Sequence, residues 1–170
     1  MEFRKITYDN VDELLALSVQ ESQKSFVASN KDSLVDAYIA LSTGHVAQPF
    51  GIYQKGQPVG FVMFGYHTLG DTDDPEIASG NYCLWRFMID KDCQGRGLGK
   101  RALAMALDYV GNLPFGPAEY CWTSYEPENL RAKRLYTQAG FQENGQYCGE
   151  ELVAAVQLSS KSAGFPAHFE

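Results

Sequence analysis

Three glycines and two cations lie within one short segment, Gln94-Gly95-Arg96-Gly97-Leu98-Gly99-Lys100. The segment follows an apolar run from Tyr82 to Ile89 and precedes apolar residues at helical spacing. It is therefore predicted to join a strand to the start of a helix, where free backbone N–H groups and the helix dipole favour an anion. Glycine lets a phosphate approach these N–H groups and permits positive φ.

The spacing of the glycines argues against two common nucleotide loops. A P-loop requires glycine where Gln94 stands and a hydroxyl where Arg101 stands, and a dinucleotide fingerprint requires glycine in place of Lys100. A plain strand-to-helix turn is the structural alternative, but it explains one or two glycines rather than three among cations. The pattern that remains is Gln/Arg-x-x-Gly-x-Gly/Ala, which Gln94, Gly97 and Gly99 satisfy.

Apolar periodicity and turn residues predict the elements that position this loop. In chain order they are a helix over 11–19 after Asp9-Asn10, a helix over 34–41 capped by Asp32 or Ser33, a hairpin of 50–53 and 59–64, an acidic loop at 70–76, a strand over 82–89, a helix over 98–110, a strand over 120–125, a helix over 130–139 ending at Gly140, and strands from Phe141 and from Leu152 to Leu158. Residues 1–158 are predicted to form one domain, and residues 159–170 a tail.

Composition excludes several classes of protein. An apolar share of 45% with ten Tyr and ten Phe is not that of a disordered chain, and no apolar run approaches the length of a membrane span. No targeting segment is visible at the start, so we expect a cytoplasmic protein without a membrane partner. A net charge of -7 argues against nucleic acid and favours a cationic small molecule.

The cysteines and histidines give no metal pattern. Their spacing contains no CxxC pair and no set of ligands, so no metal site and only reduced thiols are predicted. The residues are Cys83, Cys93, Cys121, Cys148, His45, His67 and His168.

A second pattern lies downstream, where Asn129-Leu130-Arg131-Ala132-Lys133-Arg134-Leu135-Tyr136 is followed by Gly140-Phe141. With the glycine loop it resembles the GNAT superfamily of N-acetyltransferases, whose helix reads Asn-x-x-Ala-x-x-Leu-Tyr-x-x-x-Gly-Phe. The order of predicted elements is also similar, and bacterial spermine/spermidine acetyltransferases look closest. The resemblance implies an α/β (α+β) fold with a mixed, mostly antiparallel central sheet, splayed at the cofactor strand and covered by helices on both faces. It also implies that homodimers are common.

The resemblance implies acetyl-CoA as the cofactor and assigns its contacts. The pyrophosphate is expected on Gln94, Gly95, Arg96, Gly97, Leu98, Gly99 and Lys100, and the pantetheine arm on the strand edge at Phe87, Met88 and Ile89 and on Asn129. Arg131 and Arg134 are expected to add phosphate contacts, although a solvated helix face explains them almost as well.

Tyr136 is expected at the cofactor sulfur, where its hydroxyl would protonate the departing thiolate. Asn129 and Tyr136 are seven residues apart, so on a helix they share nearly one face about 10 Å apart along the axis. The alternative for Tyr136 is an ordinary core aromatic, since Leu135 and Ala139 are close by. Some polyamine acetyltransferases carry a carboxylate where this chain has Trp85, so the general base is unassigned, with Glu126 or a water relay as guesses.

A small-molecule amine, above all a polyamine, is the expected acceptor. Glu21, Asp32, Asp36 and the 71–76 loop either line a polycation site or form a solvated acidic surface, and Tyr53, Tyr66 and Trp85 would add cation-π contacts if they face the cleft. The alternatives are a protein or peptide acetyltransferase, and a module that binds acyl-CoA without catalysis.

Overall fold

A single mixed sheet forms the centre of the protein, whose computed structural model describes residues 1–68 and 73–158. Its strands are β1 (Glu2–Lys5), β2 (Val46–Gln54), β3 (Gln57–Tyr66), β4 (Tyr82–Ile89), β5 (Tyr120–Tyr125), β6 (Gln142–Cys148) and β7 (Glu151–Gln157). They lie in the order β1-β2-β3-β4-β5-β7-β6, and β4 and β5 form the one parallel pair in it. The predicted mixed, mostly antiparallel sheet is confirmed.

Helices cover both faces of the sheet, as predicted. They are α1 (Val11–Leu15), α2 (Asn30–Ser42), α3 (Leu98–Gly111) and α4 (Leu130–Gln138). Side chains alternate between the faces of a strand. Along β3, Val62 packs in the cluster that contains buried residues of α3 and α4, whereas Met63 packs with buried residues of α2. The strands therefore carry apolar residues on both faces.

The N-terminal part differs from its prediction. Strand β1 was not predicted, and it pairs with β2 at the edge of the sheet. Helix α1 ends at Leu15 and not near Val19, and the buried Asn30 side chain donates to the Leu14 carbonyl over 2.7 Å. The predicted start of the second helix was also wrong, because Ser29 caps α2 by accepting the Asp32 N–H at 3.1 Å.

The turns beside the site agree with the sequence. Lys55 and Gly56 have φ values of 51° and 79° and form the two-residue turn between β2 and β3. Gly140, with φ of 95°, ends α4, and Gly149 and Glu150 separate β6 from β7.

Two predicted features lie wholly or partly outside the described residues. They are the tail at 159–170, which includes His168, and the acidic loop at 70–76, of which only 73–76 is described. Over the described ranges, no helix has the length and hydropathy needed to cross a membrane. The four cysteines are free thiols.

Candidate active site

The glycine loop presents unpaired backbone N–H groups. Gly95 and Gly97 have φ values of 77° and 72°, and Gly97 is the residue before the first turn of α3. A Cβ added at either glycine would meet nothing within 4 Å, so the space beside the loop is open. Across the described parts of the chain, no backbone acceptor pairs with the N–H groups of residues 94–100. The loop therefore has the form of an anion site.

Charge at the start of α3 has the sign that favours an anion. The first turn contains Lys100 and Arg101 and no acidic residue. Cations at the positive end of a helix dipole are unfavourable unless a negative group lies beside them. Neither residue belongs to an ion pair among the described residues. An anion bound at the loop would thus relieve repulsion that the free protein carries.

Gln94 fixes the loop through its side chain. Its Nε2 group donates to the Ile89 carbonyl at 3.0 Å and to Gln23 Oε1 at 2.9 Å, and its Oε1 accepts from Arg131 Nη1 at 3.0 Å. The amide thus joins the end of β4 to the start of α4 and to the 3₁₀ turn Glu21–Gln23. Gln94, the first position of the glycine pattern, therefore fixes the loop through hydrogen bonds of its side chain.

Strands β4 and β5 part after two paired positions. Tyr82 pairs with Cys121 and Cys83 with Trp122, and the ladder ends there. On its other side β4 continues against β3, with a register shift that leaves Trp85 as an extra residue between Leu84 and Arg86. This is a β-bulge, which bends a strand and redirects its groups. The predicted splay at the cofactor strand is confirmed.

The splay leaves backbone groups of β4 facing the opening. Asp90 N donates to Val59 O at 2.9 Å, so Asp90 bonds toward β3. Every second residue of an antiparallel strand bonds to the same neighbour, so Met88 also bonds toward β3. The backbone groups of Phe87 and Ile89 therefore point to the β5 side. The Ile89 carbonyl accepts from Gln94, which leaves Phe87 as the position whose N–H and carbonyl both face the opening without a partner among the described residues.

A cavity of about 1020 Å³ occupies the splay and reaches the glycine loop. It brings together every predicted site residue except Arg96 and Arg134, which are exposed and do not line it. Arg131 lines it instead. Of the expected substrate-side residues, Asp36, Asp74 and Trp85 line it, whereas Glu21, Asp32, Tyr53 and Tyr66 do not. Glu126 is absent from its wall.

Tyr136 is buried at the centre of this cavity wall, with 7% of its surface exposed. Its ring lies 5.7 Å from that of Tyr125 and 5.4 Å from that of Phe141. Burial raises the pKa of Tyr136 from its ordinary value of 10.0 to about 12, and a hydrogen bond with the Thr123 side chain acts in the opposite direction. The phenol is consequently protonated throughout the neutral range.

Asn129 begins α4 and also lines the cavity. Its Oδ1 atom accepts the Ala132 N–H at 3.1 Å, which caps the helix. The Nδ2 group has no bonding partner in the described part of the chain, so it remains available to a ligand carbonyl.

Two polar residues of the cavity escaped the sequence analysis. Ser124, at the end of β5, donates a hydrogen bond to Glu151, the first residue of β7. They are separated by 27 residues and meet because β5 pairs with β7. No local pattern marks this pair, since the segment around Glu151 reads only as a turn.

The splayed sheet, the glycine loop and the cavity together form a site suited to an acyl-coenzyme A. A model of the Acetyltransferase (GNAT) family matches residues 13–141, and the chain belongs to this family. It is an acetyl-CoA-dependent N-acetyltransferase, as predicted.

Similar proteins agree with this assignment. The spermine/spermidine N(1)-acetyltransferase of Bacillus subtilis is 34% identical over 155 residues, which cover 90% of this chain and 96% of that protein. An aminoglycoside acetyltransferase, AAC(6')-Ib, solved with coenzyme A and kanamycin, has a TM-score of 0.68 at 19% identity and covers 92% of this chain and 93% of its own. The PaiA N-acetyltransferase of Thermoplasma acidophilum, solved with coenzyme A, has a TM-score of 0.62 at 13% identity, and the match covers 92% of this chain and 98% of that chain. The two structures show a shared fold.

Proposed function

We propose that this protein transfers the acetyl group of acetyl-CoA to a primary amine of a small polyamine such as spermidine or spermine. The observation that carries the proposal is the likeness to the Bacillus spermine/spermidine enzyme over nearly the whole of both chains. The cavity adds physical support, because carboxylates of Asp36, Asp74 and Glu151 line it.

A flexible polycation suits this wall. Spaced carboxylates attract several ammonium groups at once, and the net charge of -7 attracts them from a distance. The indole rings of Trp85 and Trp122 also line the cavity. A cation already lies over one of them, because the Arg86 guanidinium is 5.6 Å from the centre of the Trp85 ring. Asp36 attracts an ammonium group less strongly than its charge suggests, because Arg86 pairs with it at 3.2 Å.

The proposal gives most of the predicted cofactor residues a part. The N–H groups of residues 94–100, with Lys100 nearby, hold the pyrophosphate. Phe87 meets the pantetheine arm through its backbone, and Asn129 does so through Nδ2. Arg131 is better placed for a phosphate contact than Arg134, because only Arg131 lines the cavity. A free N–H at the opening, such as that of Phe87, would stabilise the oxyanion.

Tyr136 acts in this proposal as the acid that protonates the leaving sulfur. A phenol with a raised pKa remains protonated at neutral pH, so it always has a proton to give. The same burial removes water that would compete for the thiolate.

Aminoglycosides are a second candidate acceptor. An aminoglycoside N(6')-acetyltransferase of Klebsiella pneumoniae is 25% identical over 118 residues, or 68% of this chain and 57% of that protein. These substrates also carry several amino groups, but the groups are attached to a compact ring system and not to a flexible chain. A cavity of about 1020 Å³ has room for either shape.

A panel of acceptors tests the proposal. Coenzyme A release, corrected for hydrolysis, is measured with spermidine, spermine, kanamycin, lysine and an amine-terminated peptide, and the products are identified by mass spectrometry. The proposal expects kcat/KM for a polyamine to exceed that for the others by at least about tenfold, or 1.4 kcal/mol. Preference for kanamycin or the peptide would refute the polyamine assignment, and absence of turnover with all of them would refute catalysis on these amines.

A further inference from the structure

The two faces of β5 carry different parts of the cavity wall. Tyr125 stacks on Tyr136 and belongs to the core on the α3 and α4 side. Trp122 belongs to a separate cluster on the other face, together with Val153 of β7. By strand alternation, Ser124 lies on the Trp122 face, and Glu151 lies on the face of Val153.

We propose that Glu151 binds the reacting ammonium group and accepts its proton, held in place by Ser124 on the face of the sheet opposite Tyr136. The inference rests on the proposed function in that the acceptor is an amine. It assigns the general base that the sequence left open, and places it on β7 and not on the cofactor strand.

The contacts of Glu151 suit this part. Its side chain lines the cavity, and the Ser124 hydroxyl donates to its Oε2 atom. Its Oε1 atom has no bonding partner in the ranges that the structure describes, and Glu151 takes part in none of the ion pairs found there. One oxygen is thus fixed and the other remains available for an N–H group.

Trp122 supplies an independent sign of a ligand on the same face of β5, two residues before Ser124. It is 3% exposed, lines the cavity, and has an Nε1–H group without an acceptor in the described residues. A buried donor without a partner costs about 1 to 3 kcal/mol. A neutral amine nitrogen, or a water molecule carried with it, would satisfy this donor.

The other carboxylates of the cavity are less suited to accept the proton. Asp36 is already paired with a cation, because Arg86 lies 3.2 Å from its carboxylate. Asp74 raises the pKa of Cys148, as Glu151 does, so both add negative potential around that thiol. We assign to Asp74 a part in attracting the cation and to Glu151 the contact with the reacting nitrogen.

The opposite placement of Glu151 and Tyr136 fits the order of proton transfers. Glu151 takes one proton from the ammonium group, and the nitrogen lone pair then forms the C–N bond to the acetyl carbon as the C–S bond breaks. Tyr136 gives its proton to the departing sulfur and regains one, through solvent, from the nitrogen of the new amide. Glu151 releases its proton to solvent, so one proton is produced in each turnover.

The test is Glu151→Gln, with Glu150→Gln as the matched control. Glu150 is the neighbouring turn residue, exposed and outside the cavity wall, so it receives the same change of charge without the contact. Removing a general base lowers turnover by about 100-fold or more. We expect this loss in kcat for Glu151→Gln, together with at least a tenfold weaker binding of the amine to the coenzyme A-loaded protein. Acetyl-CoA affinity and Tm are expected to remain those of the wild type.

The outcomes separate this inference from the polyamine proposal. The ratio of wild-type to variant turnover is measured on whichever amine of the panel the wild type prefers. A Glu151→Gln variant within twofold of the wild type, or one that loses acetyl-CoA binding and Tm along with activity, would overturn the inference. A wild type that prefers another amine, with the loss retained in Glu151→Gln, would overturn only the polyamine assignment.

Discussion

The Thr123 hydroxyl donates a hydrogen bond of 3.1 Å to the Leu84 carbonyl, directly beyond the last paired residues of β4 and β5. A side chain therefore satisfies the backbone group at the point where the two strands part. The same side chain acts to lower the pKa of Tyr136, against the larger effect of burial. Thr123 thus connects the opening of the sheet with the phenol that faces it.

Replacing Thr123 with valine is expected to destabilise the protein. The change keeps the shape of the side chain but leaves the buried Leu84 carbonyl without a donor, which costs about 1 to 3 kcal/mol. Urea unfolding measures the change, and Thr123→Ser, which retains the hydroxyl, is the control. Equal stability of Thr123→Val and Thr123→Ser would show that the bond contributes nothing.

Tyr136→Phe is expected to lower turnover by about 100-fold and to leave the Kd for acetyl-CoA nearly unchanged. Phenylalanine keeps the ring contacts with Tyr125 and Phe141 and removes only the proton donor. Tyr109→Phe is the control, because Tyr109 has a similarly raised pKa of about 12 but does not line the cavity. Steady-state rates equal to the wild type in Tyr136→Phe would remove the acid assignment.

Gly97→Leu is expected to weaken acetyl-CoA binding at least tenfold, measured by calorimetry. A side chain there would stand in the open space beside the N–H groups, and the positive φ of 72° costs about 1 to 2 kcal/mol for a non-glycine residue. Gly145→Leu, at φ of 81° and far along the chain in β6, carries comparable strain without the binding contact. If both variants bind the cofactor equally well, the loop has no special part in binding.

Stability is expected to fall steeply in alkali. Tyr109 and Tyr136 each have a folded-state pKa raised to about 12 from an ordinary value of 10.0, because burial disfavours the phenolate. A raised folded pKa gives stability that is fully present below pH 10.0 and is lost as the pH rises toward about 12. Urea midpoints across this range measure the loss, and the decline is expected to be shallower in Tyr109→Phe. A midpoint independent of pH would contradict the burial of these phenols.

Local patterns were sufficient to predict the strand, the glycine loop and the helix to which the cofactor was assigned. Glycine spacing, a preceding apolar strand and a following helical period are all contained within residues 82–110, so the sequence alone indicated an anion loop. The helix from Leu130 and the glycine that ends it were also predicted from the local sequence alone.

The proposed acceptor half depends on tertiary pairing and was missed for that reason. Ser124 and Glu151 become neighbours only through the pairing of β5 with β7. Strand β1 was missed because it is four residues long and mostly exposed, so its pairing with β2, and not its own pattern, defines it. Helix α1 is similarly limited by a tertiary contact, that of Asn30 with the Leu14 carbonyl.

Binding of the diphosphate at the start of α3 is the claim on which the rest depends. The direct measurement is an NMR titration of ¹⁵N-labelled protein with coenzyme A, followed through the backbone amides. The largest shifts are expected at Gly95, Gly97 and Gly99, whose N–H groups have no backbone partner among the described residues. Saturable binding that leaves these three amides unmoved while others shift would contradict the account.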